Sequence, residues 1–428
     1  MSRGGDTLAD WVLTQRWFGS KARDVSEVNV LDTLTLRDAP PLTAAFLEAR
    51  FGAGTHELYQ LLMSEDFDAL TAPAEMAALV ALMEREAVVE GAHATVTCHW
   101  TGDVAAPGEA PTVRSIGVEQ SNSSIVFDDR LILKVFRRLE PGDNPELELL
   151  RFLAAHGFEG IPALAGWYEV SGDLLDATLG VLQEFVADGR DGWDLALADP
   201  EGMLSDLAEL GEATGRMHSV LASDGTDPAF TPEEPGEESL SLLTATIDEE
   251  IERLFVDLPD GLEAVAPIRH RGEEVRDRLQ GLSHVGVGGR AIRSHGDYHL
   301  GQTLRTPDRW VILDFEGEPA RPLRDRRRKR SPLRDVAGML RSFAYAASAM
   351  GPGAPEGWEA RARATFLEGY ARSVEPSLLP AGQAAMDKLL SIFELEKAIY
   401  ELRYEMNNRP DWVPIPVAGI ERLLEGDV

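Results

Sequence analysis

Hydrophobic and polar residues alternate through much of the N-terminal part of the chain and follow a helical period through most of the C-terminal half. The pattern predicts a short helix over LADWVLTQRWF, followed by paired strands over AAFLEARF and HELYQLLM. The stretch GDVAAPGEAPTV, rich in Gly, Pro and Ala, then interrupts the pattern. We therefore predict a boundary there and a first subdomain over residues 1–108.

The next segment has the pattern of a small sheet with one helix. Two strands are predicted within SIGVEQSNSSIVFDDRLILKVF, joined through Asp128 and Asp129. PELELLRFLAAHG predicts a helix that starts after Asn144-Pro145 and ends at Gly157, and GWYEV and LGVLQEFV predict two further strands. We assign these elements to a second subdomain over residues 109–188.

Helical periodicity prevails beyond Asp188. It covers SDLAELGEATGRMHSVLA, SLLTATIDEEIERLF, PLRDVAGMLRSFAYAASAM and MDKLLSIFELEKAIYELRYEMN. The exception is the block 292–318, where short apolar stretches and turn residues replace helical spacing. The third subdomain, residues 189–428, is thus expected to be mostly helical with a small β-island.

Length and charge narrow the possible functions. The chain of 428 residues exceeds the size at which one core keeps growing, which favours two or three packed subdomains. Its formal charge of −32 would repel a phosphate backbone, so nucleic acid is not an expected partner, whereas a cationic substrate is permitted. No uncharged apolar run is long enough for a membrane span, and the N-terminus lacks the order of a signal peptide. We therefore expect a cytoplasmic protein with no obligatory protein partner.

Three local features receive structural interpretations. The single cysteine, Cys98, excludes an intrachain disulfide framework and is expected to be buried, because no His or Asp motif beside it favours a nucleophile. The stretch EEPGEES around residues 233–239 is interpreted as a solvated loop. The basic segment Arg324 to Arg330 is expected to be exposed and flexible, with a phosphate site as the alternative.

The strongest chemical signal lies between His295 and Asp314, in HGDYHLGQ followed by WVILDFE. Phosphoryl transfer needs a carboxylate that orients the acceptor hydroxyl and oxygen ligands for Mg²⁺. Asp297 fits the first role, and Gln302 with Asp314 fits the second. Gln302 stands five residues after Asp297, the interval between the catalytic Asp and the metal-binding Asn of the protein-kinase loop H-R-D-x-x-x-x-N.

The two histidines of this block admit a metal-binding interpretation, since His295 and His299 are four residues apart. Gly296 and Gly301 make a helix unfavourable there, and we prefer a loop-fixing role for His295. His295 is also counted among the residues near the substrate.

A nucleotide site is predicted upstream. Small residues in a hairpin let backbone N–H groups approach phosphate oxygens, and their hydroxyl groups can add donors. The predicted set is Ser121, Asn122, Ser123 and Ser124. Lys134 follows ten residues after Ser124, where a strand can direct an ammonium group at phosphates. We predict Glu148 on the next helix as its ion-pair partner, with Glu146 on a different helix face as the alternative.

Taken in order, these motifs resemble the protein-kinase-like phosphotransferases that include aminoglycoside and choline kinases. VEQSNSSIVFDDRLILKVF, HGDYHLGQTL, LDFEGEPARPL, SPLRDVAGMLRSF and YEMNNRPDWVPIP more closely resemble the bacterial maltokinase family and its sugar-kinase relatives. TQRWFGSKAR resembles the N-terminal cap of that family. The resemblance extends over nearly the whole chain.

The resemblance implies a two-lobed, protein-kinase-like α+β fold with an N-terminal cap subdomain and a mostly helical C-lobe. It also implies ATP and Mg²⁺ as cofactors and a hinge from Gln183 to Val186 whose backbone meets adenine. Asp335, in RDVAGML, would brace the catalytic loop by hydrogen bonds.

The acceptor site is expected between Asp297 and the C-terminal helix, whose end carries polar groups and aromatic planes that suit a sugar. The predicted contacts are Tyr404, Glu405, Asn408, Arg409 and Trp412, while Glu401 is either solvated or ligand-facing. Maltokinases are expected to read YEARNRPDW in this stretch, but here Met406-Asn407 replaces Ala-Arg. The missing cation beside Glu405 favours a substrate with its own ammonium group.

The leading hypothesis is therefore a kinase of glucosamine that acts at the 6-hydroxyl of this small-molecule sugar. A maltokinase that forms maltose 1-phosphate is the first alternative. A pseudokinase or nucleotide-binding regulator is the second, disfavoured because Lys134, Asp297, Gln302 and Asp314 are all present. A protein-serine kinase is disfavoured by the absence of the Arg of H-R-D.

Overall fold

A computed structural model describes residues 2–3, 6–21, 23–65, 68–108, 110–116, 122–234, 236–259, 261–282, 288–319 and 321–425. The chain divides into two compact units. The first comprises Met1–Asp188 with Pro319–Arg326, and the second comprises Gly189–Glu318 with Arg327–Val428.

The strands, in chain order, are β1 Ser2–Arg3, β2 Asp6–Thr7, β3 Val25–Arg37, β4 Leu42–Phe51, β5 His56–Met63, β6 Val88–Glu90, β7 Ala94–Trp100, β8 Val113–Ile116, β9 Asn122–Phe127, β10 Leu131–Phe136, β11 Arg138–Leu139, β12 Leu164–Gly172, β13 Ala177–Glu184, β14 Arg190–Asp191, β15 Thr303–Arg305 and β16 Trp310–Ile312. The helices are α1 Leu8–Thr14, α2 Pro73–Glu84, α3 Pro145–Ala155, α4 Gly192–Ala198, α5 Pro200–Leu221, α6 Glu237–Asp257, α7 Gly272–Leu282, α8 Leu323–Arg326, α9 Leu333–Met350, α10 Trp358–Ser373, α11 Gln383–Asn408 and α12 Pro414–Glu425.

The first unit is built on two large antiparallel sheets, beside the short antiparallel pair of β1 and β2. Within the described residues, one large sheet has seven strands in the order β6-β7-β12-β13-β10-β9-β8, and the other has four in the order β11-β5-β4-β3. The predicted subdomain boundary after residue 108 falls between β7 and β8, which belong to the same sheet. The division at 108 therefore remains a prediction, and the sheet joins residues from both sides of it.

Strand β4 is buried on both faces, because separate apolar clusters cover its two sides. Ala44 and Phe46 join the larger cluster with the seven-stranded sheet and α2. Ala45 and Leu47 join a smaller cluster with α1. The sequence stretch AAFLEARF consequently lacks the clean alternation of a strand with one solvated face.

Asp128 and Asp129 form the turn between β9 and β10, as the sequence predicts. Both residues adopt left-handed backbone angles, with φ of 51° and 49°, a conformation that Asp tolerates better than most residues. The turn fixes the pairing of β9 with β10 and thus places Ser124 opposite Lys134.

The second unit is mostly helical, with α5 and α10 packed closely against each other. A Cβ atom on Gly369 of α10 would lie 2.0 Å from the carbonyl oxygen of Ala208 in α5, so only glycine permits this approach. The β-island predicted over 292–318 contains β15 and β16, which pair with each other, and β15 also pairs with β14 to complete a three-stranded sheet. These elements hold the block that contains Asp297.

The basic segment after residue 323 is corrected by the structure. Arg326 pairs with Glu140 at 2.8 Å within the first unit. Lys329 pairs with Glu233 at 2.7 Å within the second. Their side chains are only 8% and 10% exposed, so the expectation of a flexible exposed segment is wrong for these two residues.

Cys98 is fully buried in β7, and burial raises the pKa of its thiol to about 12. A thiol that does not ionise at neutral pH is a poor nucleophile, so the structural interpretation of Cys98 is confirmed. Among the residues that the structure describes, no helix has both the length and the apolar character that a membrane crossing requires.

The buried side chain of Gln60 in β5 ties the two sheets of the first unit together. Its amide nitrogen donates to the carbonyl oxygens of Phe136, at 2.7 Å, and Leu179, while its oxygen accepts a hydrogen bond from Tyr168 at 3.2 Å. These bonds satisfy polar groups that have no access to water.

Gln60→Leu keeps much of the side-chain volume but removes the hydrogen-bond partner of the Tyr168 hydroxyl and of two carbonyl groups in the core. We expect the free energy of unfolding to fall by about 2 kcal/mol, measured by urea denaturation. His56→Leu, at the exposed start of the same strand, is the matched control and should change it little. An equal effect of the two substitutions would refute the role given to Gln60.

Candidate active site

Four polar residues of the predicted nucleotide site share one face of the seven-stranded sheet. Lys134 lies opposite Ser124 on β9, and two positions along β10, Ile132 lies opposite Gln183 on β13. Asn122 is two positions before Ser124 on the same strand. Because side chains alternate along a strand, Asn122, Ser124, Lys134 and Gln183 point to the same side.

Ser123 points to the other side of that sheet, which corrects its predicted role as a hydroxyl donor to phosphate. Its hydroxyl accepts a hydrogen bond from Nε of Arg137 at 2.8 Å. Ser121 lies outside the described residues.

Lys134 forms an ion pair with Glu146, with 3.2 Å between Nζ and Oε1, and both side chains are buried. Helix α3 begins at Pro145, and the side chain of Asn144 caps it by accepting the N–H of Glu146. Glu146 therefore lies in the first turn, where the helix dipole favours a negative charge. The sequence analysis preferred Glu148, and the pair that the structure shows is with its alternative, Glu146.

The backbone of Gln183 is not well placed for the predicted hinge. This residue lies inside β13, between β10 and β12, so its backbone is enclosed by neighbouring strands. Its Oε1 is buried and has no hydrogen-bond partner among the described residues. Val186 follows the end of the strand and is half-buried. The contact of the backbone with adenine therefore stays a prediction for Val186 and is not supported for Gln183.

The loop that carries Asp297 is fixed by Asp335 from the first turn of α9. The Asp335 carboxylate accepts the backbone N–H groups of His295 at 2.8 Å and Gly296 at 2.9 Å, and it bonds the ring of His218 at 3.1 Å. Burial would raise the pKa of Asp335, but His218, His295 and the Gly296 N–H outweigh burial and lower it. Asp335 is therefore a buried carboxylate that holds the loop backbone.

His295 has no ring nitrogen left for a substrate. Nε2 lies 2.8 Å from the carbonyl oxygen of Leu313 and so donates to it, while Nδ1 accepts the N–H of Asp297 at 3.4 Å. The residue is almost fully buried and contacts the rings of Tyr298 and Phe315. Its predicted place among the substrate contacts is wrong, because both nitrogens hold the backbone of the site.

Asp297 lies beside a lysine that the sequence analysis missed. Nζ of Lys397 on α11 is 3.2 Å from Oδ1 of Asp297 and 3.2 Å from Oε1 of Glu318. The only signal for Lys397 in the sequence was its position one helical turn before Glu401, at the edge of the segment chosen for the substrate. Its partner Asp297 lies far away along the chain, and helical periodicity cannot identify such a contact.

Gln302 and Asp314, the predicted metal ligands, are adjacent in the structure. Nε2 of Gln302 donates to Oδ2 of Asp314 at 2.9 Å, and the backbone of Leu313 donates to Gln302 at 2.9 Å. Asp314 has a left-handed φ of 62°, a backbone conformation that non-glycine residues adopt rarely and that is found often at functional sites. Carboxylate and amide oxygens without nitrogen or sulfur donors form a set that fits Mg²⁺.

Glu405 does not present a free carboxylate, which corrects its prediction as a substrate contact. It is 1% exposed, and Arg409 binds both of its oxygens, at 2.8 and 2.6 Å. Tyr345 donates a further hydrogen bond at 3.2 Å. Because Arg409 neutralises Glu405, the structure does not support the predicted attraction of this charge for an ammonium-bearing substrate. Glu401 is also buried, in an ion pair with Arg341 at 2.7 Å, so it is neither solvated nor ligand-facing.

The aromatic residues near the end of α11 form a cluster around Trp412. Its ring stacks on Tyr345, with centroids 5.8 Å apart, and lies 6.1 Å from Trp193. The guanidinium of Arg409 lies over the rings of Trp412 and Tyr404. The sequence analysis missed Tyr345 and Trp193, which are distant from Trp412 along the chain. Tyr404 is 39% exposed, and the exposed side chain of Asn408 donates to its backbone oxygen at 2.8 Å.

Comparison with known families gives two matches that together cover most of the chain. The profile described as the phosphotransferase enzyme family matches residues 112–375. The profile of the maltokinase N-terminal cap domain matches residues 11–94. Both agree with the resemblance drawn from the motifs.

Two curated relatives are both named glucosamine kinase. The glucosamine kinase of Streptacidiphilus jiangxiensis is 28% identical over 371 residues, which are 81% of this chain and 80% of the relative. The glucosamine kinase of Mycolicibacterium smegmatis (strain ATCC 700084 / mc(2)155) is 26% identical over 332 residues, 73% of this chain and 79% of the relative.

A solved structure of a glucosamine kinase in complex with glucosamine, ADP and inorganic phosphate has a TM-score of 0.72 and 21% identity, and it covers 98% of this chain and 99% of its own. A solved glucosamine kinase structure described as crystal form B, with a TM-score of 0.71 and 22% identity, covers the same shares. The predicted fold class is confirmed: the chain has a protein-kinase-like fold with an N-terminal cap domain and a helical C-terminal region.

We expect His299 to make the stability of the folded protein depend on pH. Burial lowers the pKa of its imidazole, an effect only partly offset by Asp297. As pH falls below about 6.5, the imidazole of His299 becomes protonated in the unfolded chain but stays neutral in the folded protein. The free energy of unfolding therefore decreases. Relative to His299→Gln, the wild type should lose stability between about pH 7.5 and 5.5, followed by urea denaturation at each pH. A difference that stays constant over this range would contradict the prediction.

Proposed function

Because the chain belongs to the phosphotransferase enzyme family, we propose that it transfers the γ-phosphoryl group of ATP to the 6-hydroxyl of glucosamine, with Mg²⁺. The observation that carries the proposal is the fixed position of Asp297, in a loop whose backbone is bound by Asp335. A phosphotransferase needs such a carboxylate to orient the acceptor.

In this proposal, Asp297 orients the acceptor hydroxyl of the sugar. Its carboxylate accepts the hydrogen bond of the sugar hydroxyl and directs the oxygen lone pair at phosphorus. Phosphoryl transfer passes through a loose transition state, so orientation and charge stabilisation carry most of the catalysis. The rigid attachment of residues 295–297 to α9 and to Leu313 supports this role.

The nucleotide is assigned to the polar sheet face of the first unit. Lys134, held by Glu146, offers an ammonium group to the phosphates, and Asn122 and Ser124 lie on the same face. Val186 is the backbone candidate for adenine. Gln302 and Asp314 would hold Mg²⁺, which when bound neutralises negative charge on the phosphate oxygens.

The acceptor is assigned from the curated relatives, both named glucosamine kinase, and not from a charge in the pocket. The relative solved with glucosamine, ADP and inorganic phosphate supports ATP as the phosphoryl donor. The exposed Tyr404 and Asn408, with Arg409 and Trp412, remain the proposed sugar contacts. The cytoplasmic location expected from the sequence stays part of the proposal, since the reaction consumes ATP.

Maltose is the second candidate acceptor. The match of residues 11–94 to the maltokinase N-terminal cap domain favours it. That domain is separate in sequence from Asp297 and from the proposed sugar contacts, so its match does not bear directly on which sugar is bound. Glucosamine therefore remains the preferred acceptor.

Asp297→Asn removes the charge that orients the acceptor while nearly keeping the side-chain shape. We expect kcat to fall by about 1,000-fold, measured in a coupled ADP-release assay with saturating ATP, Mg²⁺ and glucosamine. The Kd of ATP from calorimetry should stay unchanged. Asp308→Asn, at an exposed position before β16, is the control and should keep full activity. Normal turnover by Asp297→Asn would remove Asp297 from the mechanism.

The acceptor is tested by comparing kcat/KM for glucosamine, glucose and maltose under identical conditions. Hydrogen bonds to charged groups contribute about 1.5–3 kcal/mol, so glucosamine should exceed glucose about ten- to a hundredfold. Phosphorus NMR should place the product phosphate on the 6-oxygen. Turnover of maltose alone would replace the proposed acceptor by the second candidate.

A further inference from the structure

Lys397 joins two loops of the second unit that both carry acidic side chains. Its ammonium lies 3.2 Å from an oxygen of Asp297 in one loop and 3.2 Å from an oxygen of Glu318 in the other. The lysine comes from α11, outside the motif that supplies Asp297, Gln302 and Asp314. One ammonium group therefore forms ion pairs with two carboxylates.

The backbone brings these two carboxylates to the same place. Gly296 and Gly317 precede Asp297 and Glu318, and both have left-handed φ angles, of 88° and 73°. A Cβ on Gly296 would lie 3.2 Å from Cα of Gly317, so the two loops touch at these glycines. Like charges held this close repel each other strongly in a partly desolvated site.

The ammonium of Lys397 stays charged in spite of its surroundings. Burial would lower its pKa, but Asp297, Glu318 and Glu401 outweigh burial and raise it. The ammonium also lies 5.3 Å from the centre of the Tyr400 ring, on the same helix, which restricts where it can point. A fixed, charged group thus faces Asp297.

We propose that Lys397 is a positioning residue for phosphoryl transfer: it holds the Asp297 carboxylate in one orientation and offsets its repulsion from Glu318. Lys397 binds Oδ1 of Asp297, which assigns Oδ2 to the acceptor hydroxyl. This inference rests on the proposed function, because it takes Asp297 as the group that orients the acceptor. Without the cation, Asp297 turns away from Glu318 and loses its alignment.

The test is a double-mutant cycle with Lys397→Met, Glu318→Gln and the double variant. Misplacement of a catalytic group lowers the reaction rate about 100-fold. Lys397→Met should therefore lower kcat by about that factor, with KM for ATP unchanged. Removal of the second negative charge should return part of the loss. The double variant should therefore have a kcat about tenfold above that of Lys397→Met. Lys388→Met, on the same helix, is the matched control and should retain wild-type kcat.

A purely structural role for Lys397 predicts a different result, because Glu318→Gln would then bring no recovery. Additive effects of the two substitutions, or a wild-type kcat in Lys397→Met, would overturn the inference while the proposed function stands. A wild-type protein that phosphorylates no sugar would overturn the proposed function and this inference together. If Lys397→Met does not fold, the double variant decides: a kcat about tenfold below wild type supports the inference, and a wild-type kcat contradicts it.

Discussion

The hydrogen bonds of the buried Asp335 carboxylate are the interaction on which the rest of the candidate site depends. Asp335 fixes the N–H groups of His295 and Gly296, and His295 in turn binds the carbonyl oxygen of Leu313. Leu313 precedes Asp314, and its own N–H donates to Gln302. Hydrogen bonds to a charged group contribute about 1.5–3 kcal/mol each, and an unpaired buried carboxylate is costly, so the loop has little freedom to move.

The sequence was sufficient for the motifs and most of the regular elements, because both depend on local spacing. The turn at Asp128 and Asp129, the start of α3 after Asn144 and the block around Asp297 follow from residue types at fixed intervals. The face of the sheet to which each small residue points is harder to predict from the sequence. Ser123 and Ser124 are adjacent and chemically alike, and only the register of β9 against β10 puts Ser124 on the face of Lys134.

Lys397 could not be identified from the sequence, because its charged partner is selected by packing in three dimensions. Lys397 meets Asp297 because α11 passes the loop, and no spacing in the sequence encodes that approach. Glu405 and Arg409 are different, since residues four apart on a helix are neighbours and the pair could have been predicted from spacing alone.

The pairing of Glu405 with Arg409 changes where the proposed selectivity for an aminosugar would originate. A carboxylate bound through both oxygens by a guanidinium offers little net attraction to a substrate ammonium group. The replacement of Ala-Arg by Met406-Asn407 therefore does not uncover a free negative charge, because Arg409 still compensates Glu405. Selectivity by this segment then depends on shape and on the hydrogen bonds of its exposed side chains. Such contacts discriminate between sugars by the position of hydroxyl and amino groups more than by total charge.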